Sequence, residues 1–140
     1  MTQLQTEGKK IHLKIITHEK IVYEDFVDEV YSPGVNGEFG ILYNHIPFMT
    51  TLKIGITKVV KDGVLEYIST LGGIFQVSDN NAVILADEAE RGNDIDVPRA
   101  KLAKERAEAR LGNTKDKKER ARAERAIARA MARLKAADMN

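Results

Sequence analysis

The stretch GITKVVKDGVLEYIST, Gly55 to Thr70, decides the fold. Two runs rich in β-branched residues, Gly55 to Val60 and Leu65 to Thr70, flank Asp62-Gly63. That dipeptide tolerates the left-handed backbone of a two-residue turn, so the stretch reads as a β-hairpin. Upstream, Ile11, Leu13 and Ile15 alternate with His12 and Lys14, the period of a strand with one buried face. Downstream, runs at Ile74 to Val77 and Ala82 to Ala86 are parted by the turn formers Ser78, Asp79, Asn80 and Asn81. Short strands at this spacing predict a small antiparallel sandwich or barrel with its last run closing near Asp87. Residues 1–10 show no periodicity and are expected to form a loose leader, with order beginning at Ile11.

Beyond Arg91-Gly92-Asn93 the composition turns to Ala, Arg, Lys and Glu, all good helix formers. Asp96 suits an N-cap, and Pro98 falls in the first turn, where a missing N–H does no harm. The pattern predicts one helix over about 97–111, a left-handed cap at Gly112-Asn113, and a second helix over about 115–136. The second carries a stripe of Ala123, Ile127, Ala130, Met131 and Leu134. Only three of these are large, and each contributes roughly 1.5 to 3 kcal/mol when fully buried, so docking of the helices is expected to be marginal. The whole reads as α+β, mainly β: a leader over 1–10, a sandwich over 11–90 and a helical hairpin over 91–140.

The two halves differ in charge. Met1 to Ile95 carries 8 Lys/Arg against 14 Asp/Glu, a net of −6, and Asp96 to Asn140 carries 14 against 7, a net of +7, which leaves the chain at +1. All aromatic residues precede Asp96, so the second half has none with which to build its own core. Without cysteine, disulfides and thiolate chemistry are excluded, and a reducing compartment fits. No segment approaches the roughly 20 apolar residues of a membrane span, so membrane association is expected only through a partner.

No phosphate loop of the G-x-x-x-x-G-K-[ST] kind, G-x-S-x-G elbow or H-E-x-x-H pair is present. Gly34, Gly37 and Gly40, beside Pro33 and Asn36, suit turns. His12, His18 and His45 lack metal-ligand spacing, so neither catalytic residues nor a metal site are expected. The arginines carry more information. Arg122, Arg125, Arg129 and Arg133 recur at i+3 and i+4 on one helix face, and Arg99, Arg106 and Arg110 share a face of the first helix. Folded against each other, such rows call for glutamates, solvent or a polyanion between them, and guanidinium forks fit phosphate oxygens. Extended, they fit an acidic partner surface or nucleic acid. A plain solvated face is the simplest alternative. A small nucleic-acid-binding protein with a basic arm is a second, disfavoured by the acidic β part and by the lack of aromatics among the arginines.

Three stretches carry a family resemblance. Gly37 to Gly55, GEFGILYNHIPFMTTLKIG, resembles the GELGILPGHAPLLTxLKPG segment of epsilon subunits of bacterial F-type ATP synthases, with Tyr43-Asn44 where Pro-Gly is usual. Leu71 to Val77 resembles the SGGFLEV strand of that family, and Val83 to Glu90 its last strand and exit. The resemblance covers Ile11 to Ala136. It implies a sandwich of about ten strands followed by a two-helix hairpin, acting as a non-catalytic stalk subunit at the cytoplasmic face of the cell membrane. The implied partners are the gamma subunit and the c-ring, with Glu38, Phe39, Leu42 and His45 as contact candidates, and no nucleic acid.

Ile95-Asp96-Val97-Pro98-Arg99-Ala100 further resembles the I/L-D-x-x-R-A motif of epsilon subunits that bind ATP without hydrolysing it. The resemblance implies a regulatory ATP site, with or without Mg2+, formed by Glu90, Ile95, Asp96, Arg99, Ala100, Arg106, Arg129 and Arg133. It also implies a mobile arm. With ATP the hairpin folds onto the sandwich. Without it the arm extends, and Arg122, Arg125, Arg129 and Arg133 meet the alpha and beta subunits to inhibit hydrolysis.

Overall fold

The computed structural model describes residues 9–140. Among them, eight strands precede two helices: β1 Ile11–Ile16, β2 Ile21–Val27, β3 Glu29–Gly34, β4 Gly37–Leu42, β5 Phe48–Lys61, β6 Val64–Ser78, β7 Asn81–Ala86, β8 Ala89–Arg91, α1 Val97–Asn113 and α2 Lys117–Met139. A single 3-10 turn, Gly92–Asp94, joins β8 to the helices. The ladder runs β2-β1-β7-β6-β5-β3-β4, with β8 paired to the first half of β6.

The sandwich and the helical pair are as the sequence predicts, with differences in detail. The strand count among the described residues is eight and not about ten, because β5 and β6 run unbroken for 14 and 15 residues. Their ladder skips only the Lys53/Gly72 position, where Gly72 and Gly73 take φ of 85° and 132°. One pairing, β1 with β7, is parallel and not antiparallel. Arg91 and its neighbours form β8, beyond the close expected near Asp87.

The Asp62-Gly63 turn has φ of 52° and 79°, and Asp79-Asn80 has 51° and 61°, so both hairpins close through a left-handed pair. Ile11, Leu13 and Ile15 are fully buried, and Phe75, Ile68, Val30 and Ile84 join them in one core. Inside it, Ser32, Thr57 and Thr70 satisfy one another through hydroxyl contacts of 2.9 Å, so no polar atom is stranded there. Gly40 passes beneath the Tyr31 ring, where a methyl would lie 2.6 Å from a ring carbon.

Residues 1–8 of the expected leader lie outside the described residues. Lys10, assigned to that leader, is buried: its Nζ donates to Asp28 and Asp62, each at 2.8 Å, and staples the start of β1 to the β5–β6 turn. The salt bridge raises the lysine pKa and lowers that of Asp28.

Both helices end later than predicted, at Asn113 and Met139, the second also begins later, at Lys117, and Gly112-Asn113 is not a left-handed cap. Both residues are helical, and Thr114 ends α1 in extended backbone with φ −128° and ψ 146°. The cap comes from the next helix, since the Arg120 guanidinium donates to the carbonyls of Leu111 and Thr114. Asp96 and Asp116 cap α1 and α2 through the backbone N–H groups of Arg99 and Glu119. The apolar stripe also differs. Every buried residue of the pair is alanine: Ala100 and Ala107 on α1, and Ala123, Ala130, Ala132 and Ala136 on α2. Met131 is 52% exposed, and Ile127 and Leu134 are half-buried. Ala100 and Ala107, like Ala123 and Ala130, lie seven residues apart, so methyl groups recur on one seam and the backbones can approach closely.

Candidate functional site

A cleft of about 530 Å³ opens where the exit from the sandwich meets both helices. Glu90 and Ile95 form its sandwich side, Asp96, Arg99, Ala100, Leu102, Ala103 and Arg106 come from the start of α1, and Arg133 reaches in from α2. Seven of the eight residues expected at a nucleotide site therefore line one depression. The eighth, Arg129, is half-buried one turn before Arg133 and is not part of the lining. Leu102 and Ala103 are lining residues that the sequence reading missed. They sit at i+3 and i+4 from Arg99, so the arithmetic that grouped Arg99 with Arg106 places them on the same face.

The charges in the cleft are unevenly satisfied. Arg133 donates from Nη2 to Glu88 at 2.6 Å and forms an ion pair with Glu90, whose carboxylate lies 3.2 Å from Nε. Among the described residues, neither Arg99 nor Arg106 has a carboxylate within salt-bridge distance, so two guanidinium groups face the cleft without a counter-charge. Asp96 Oδ1 is engaged in capping, at 3.1 Å from Arg99 N, and among the described residues Oδ2 has no donor. Ile95 is buried on the sandwich side of the cleft, and Ala100, Leu102 and Ala103 add apolar surface among the charged groups. Its volume is within the roughly 300 to 1,000 Å³ range of small-molecule sites.

Below the cleft, α2 is tied to the sandwich at its end. The Asn140 side chain donates to the carbonyls of Tyr67 and Ala136, at 2.8 and 2.6 Å, and accepts from Tyr67 N–H at 3.1 Å. Tyr67 sits next to Ile68, the residue that pairs with Arg91, so the amide takes the place of one more β8 residue. Gly92 makes this possible, since a methyl there would lie 1.8 Å from Asn140 Nδ2.

The other candidates lie elsewhere. Arg122 borders a separate depression at the hairpin loop with Arg110, Asn113, Thr114 and Glu119, and both Arg122 and Arg125 are exposed. Glu38 is exposed at the head of β4, and Leu42 is 53% exposed at its end. Phe39 turns inward, edge-on to Phe75 at 4.8 Å and to Phe48 at 5.1 Å, so its ring belongs largely to the core. His45 lies at the sandwich tip, its ring against Phe48 and its Nδ1 2.7 Å from the Ile46 carbonyl. Asn44, in the place of the usual glycine, takes φ 68° and receives the Asn80 side chain on its N–H at 2.6 Å.

The two parts of the chain match two families end to end: "ATP synthase, Delta/Epsilon chain, beta-sandwich domain" over residues 10–92, and "ATP synthase, Delta/Epsilon chain, long alpha-helix domain" over 93–138. This chain belongs to the ATP synthase Delta/Epsilon chain family. It is 46% identical over 127 residues to the ATP synthase epsilon chain of Nitratidesulfovibrio vulgaris, covering 91% of this chain and 95% of that one. The epsilon chains of Syntrophobacter fumaroxidans, 47% identical over 131 residues with 94% and 98% covered, and of Symbiobacterium thermophilum, 48% over 126 with 89% and 91%, are similar. In fold it resembles a chain of the Euglena gracilis mitochondrial ATP synthase, solved as OSCP/F1/c-ring, with TM-score 0.78 at 23% identity, covering 94% of this chain and 82% of that one. This Delta/Epsilon chain is thus a non-catalytic subunit of an ATP synthase. No helix among the described residues is long and apolar enough to cross a membrane.

Proposed function

We propose that this Delta/Epsilon chain is a regulatory subunit of the central stalk, with its sandwich seated on the gamma subunit and c-ring and its helical hairpin a two-state arm that ATP holds folded back. The cleft carries the reading: two uncompensated arginines and a paired third line one depression together with Ile95, Leu102 and Ala103, a set that suits a triphosphate joined to an apolar ring. Among the described residues no three His, Cys, Asp or Glu side chains gather as metal ligands. A Mg2+ ion arriving with the nucleotide would take its ligands from phosphate oxygens and water.

The docked arm rests on little. Among the described residues its helix-to-sandwich polar ties are the Arg133 pairs and the Asn140 amide, and its buried side chains are alanines. A ligand at a hundred times its dissociation constant adds about 2.7 kcal/mol to the state that binds it, enough to decide such a balance. Without ATP the arm extends along gamma, and Arg122, Arg125, Arg129 and Arg133 meet acidic surfaces of the alpha and beta subunits and oppose hydrolytic rotation. The chain then works at the cytoplasmic face of the membrane, held there by its partners.

Calorimetry of the full chain with ATP tests the sensor. Binding is expected, and it should be lost or weakened severalfold in Asp96→Ala and Arg99→Ala. Absence of binding, or binding indifferent to both changes, removes the sensor and leaves an anchoring subunit. Co-purification with gamma tests the stalk assignment independently.

A further inference from the structure

Glu88 is exposed on the β7–β8 connection and is not part of the cleft lining, yet its carboxylate makes the shortest contact to a cleft arginine, 2.6 Å to Arg133 Nη2. Glu88 and Glu90 together occupy the Nε/Nη2 edge of that guanidinium. The two N–H bonds of Nη1 and one of Nη2 are left for a ligand. The charge balance of the cleft turns on this one residue. Arg99, Arg106 and Arg133 against Glu90 and Asp96 leave a net of +1, and Glu88 brings it to zero.

We propose that Glu88 is an affinity-setting residue: it holds Arg133 in the empty cleft and competes there with the phosphate oxygens of a polyphosphate ligand. The proposal rests on reading the cleft as a nucleotide site. A phosphate that takes the Nη2 N–H facing Glu88 must part that pair, and one bound at the remaining N–H groups meets the repulsion of the Glu88 charge, so the affinity of the cleft is set lower than its arginines alone would give. The same pair ties α2 to the exit from the sandwich, so Glu88 substitutes for the ligand in docking the arm when no ligand is present. The two roles have opposite signs on removal: Glu88→Gln weakens docking of the empty arm and tightens ligand binding. A merely structural glutamate would weaken both.

The experiment is calorimetry of the full chain with ATP and, separately, with inorganic tripolyphosphate, on the wild type, Glu88→Gln, Arg133→Met and Glu88→Gln/Arg133→Met. An exposed ion pair corresponds to about a two- to fivefold change in an equilibrium constant. Glu88→Gln should therefore bind both probes about two- to fivefold more tightly, and the gain should vanish once Arg133 is also replaced. Circular dichroism of each variant checks that the fold is retained. If the wild type binds and Glu88→Gln binds equally or more weakly, or keeps its gain without Arg133, the proposal fails while the nucleotide site stands. If no variant binds either probe, the site reading fails and the proposal with it.

Discussion

Replacing Gly92 by alanine puts a methyl carbon 1.8 Å from Asn140 Nδ2 and 2.5 Å from the Ala136 carbonyl oxygen. Neither atom is free to retreat: the amide is bonded to Tyr67 on both its donor and acceptor sides, and the carbonyl belongs to α2. The end of α2 must therefore lift away from β6. The two helix-to-sheet hydrogen bonds lost are worth about 0.5 to 1.5 kcal/mol each, or about 1 to 3 kcal/mol for local opening. At 1.36 kcal/mol per factor of ten, backbone amides at the end of α2 should exchange with solvent about 5- to 150-fold faster. Hydrogen exchange resolved by residue is the assay, with core strand β1 as an internal control expected to stay unchanged. Asn140→Ala should accelerate the same amides to a similar extent. The double variant should cost little more than either single one, since both break one contact. Gly92→Ala with unaltered exchange at the end of α2, or costs that simply add, would refute the view that glycine and amide form one latch.

Further expectations concern the seam, the staple and a buried phenol. Ala130→Leu, at a fully buried position, should destabilise the hairpin by about 1 to 3 kcal/mol, while Met131→Ala should stay within about 0.5 kcal/mol; thermal unfolding by circular dichroism compares them. The Lys10 side chain, and secondarily the Asp62 N–H, hold the Asp28 carboxyl below its ordinary pKa, and Lys61 does the same for Asp25. A depressed folded pKa means stabilisation that is present above the unfolded value of about 3.9 and is lost as pH falls below it. Lys10→Met should thus be less stable than wild type at pH 7, with the gap narrowing below about pH 4; urea midpoints at both pH values measure it, and a constant gap contradicts the assignment. Burial first, then the charges of Asp25 and Glu66, push the Tyr23 phenol up to about 12, so an ultraviolet titration should show a component there that Tyr23→Phe removes.

Much of the fold was readable wherever local chemistry decides structure. Asp62-Gly63, Asp79-Asn80 and the alternation of Ile11, Leu13 and Ile15 each specify geometry within a few residues, as does Asp96 before Pro98. What was missed depends on partners distant in sequence. Gly112-Asn113 looks like a helix stop until Arg120 caps the carbonyls from across the loop. Lys10 looks like leader until Asp28 and Asp62 receive it. Weighing the stripe by side-chain volume favoured Met131, whereas close helix approach selects the smallest side chains. The cleft is the extreme case. Glu90 and Arg133 meet across the length of the hairpin, and no spacing rule joins them; the resemblance supplied those residues, and Glu88, though inside the Val83 to Glu90 stretch, is given a role by neither spacing nor resemblance.

The alanine seam has a consequence for solubility. When helices held by leucines part, broad greasy strips meet water and seek other chains. Here separation wets scattered methyl groups, each worth about as much as one CH2, or roughly 0.8 kcal/mol, and the covered sides of the half-buried Ile127 and Leu134. Opening the hairpin therefore bares less apolar surface than a leucine seam would, and the smallness of its side chains favours reversibility.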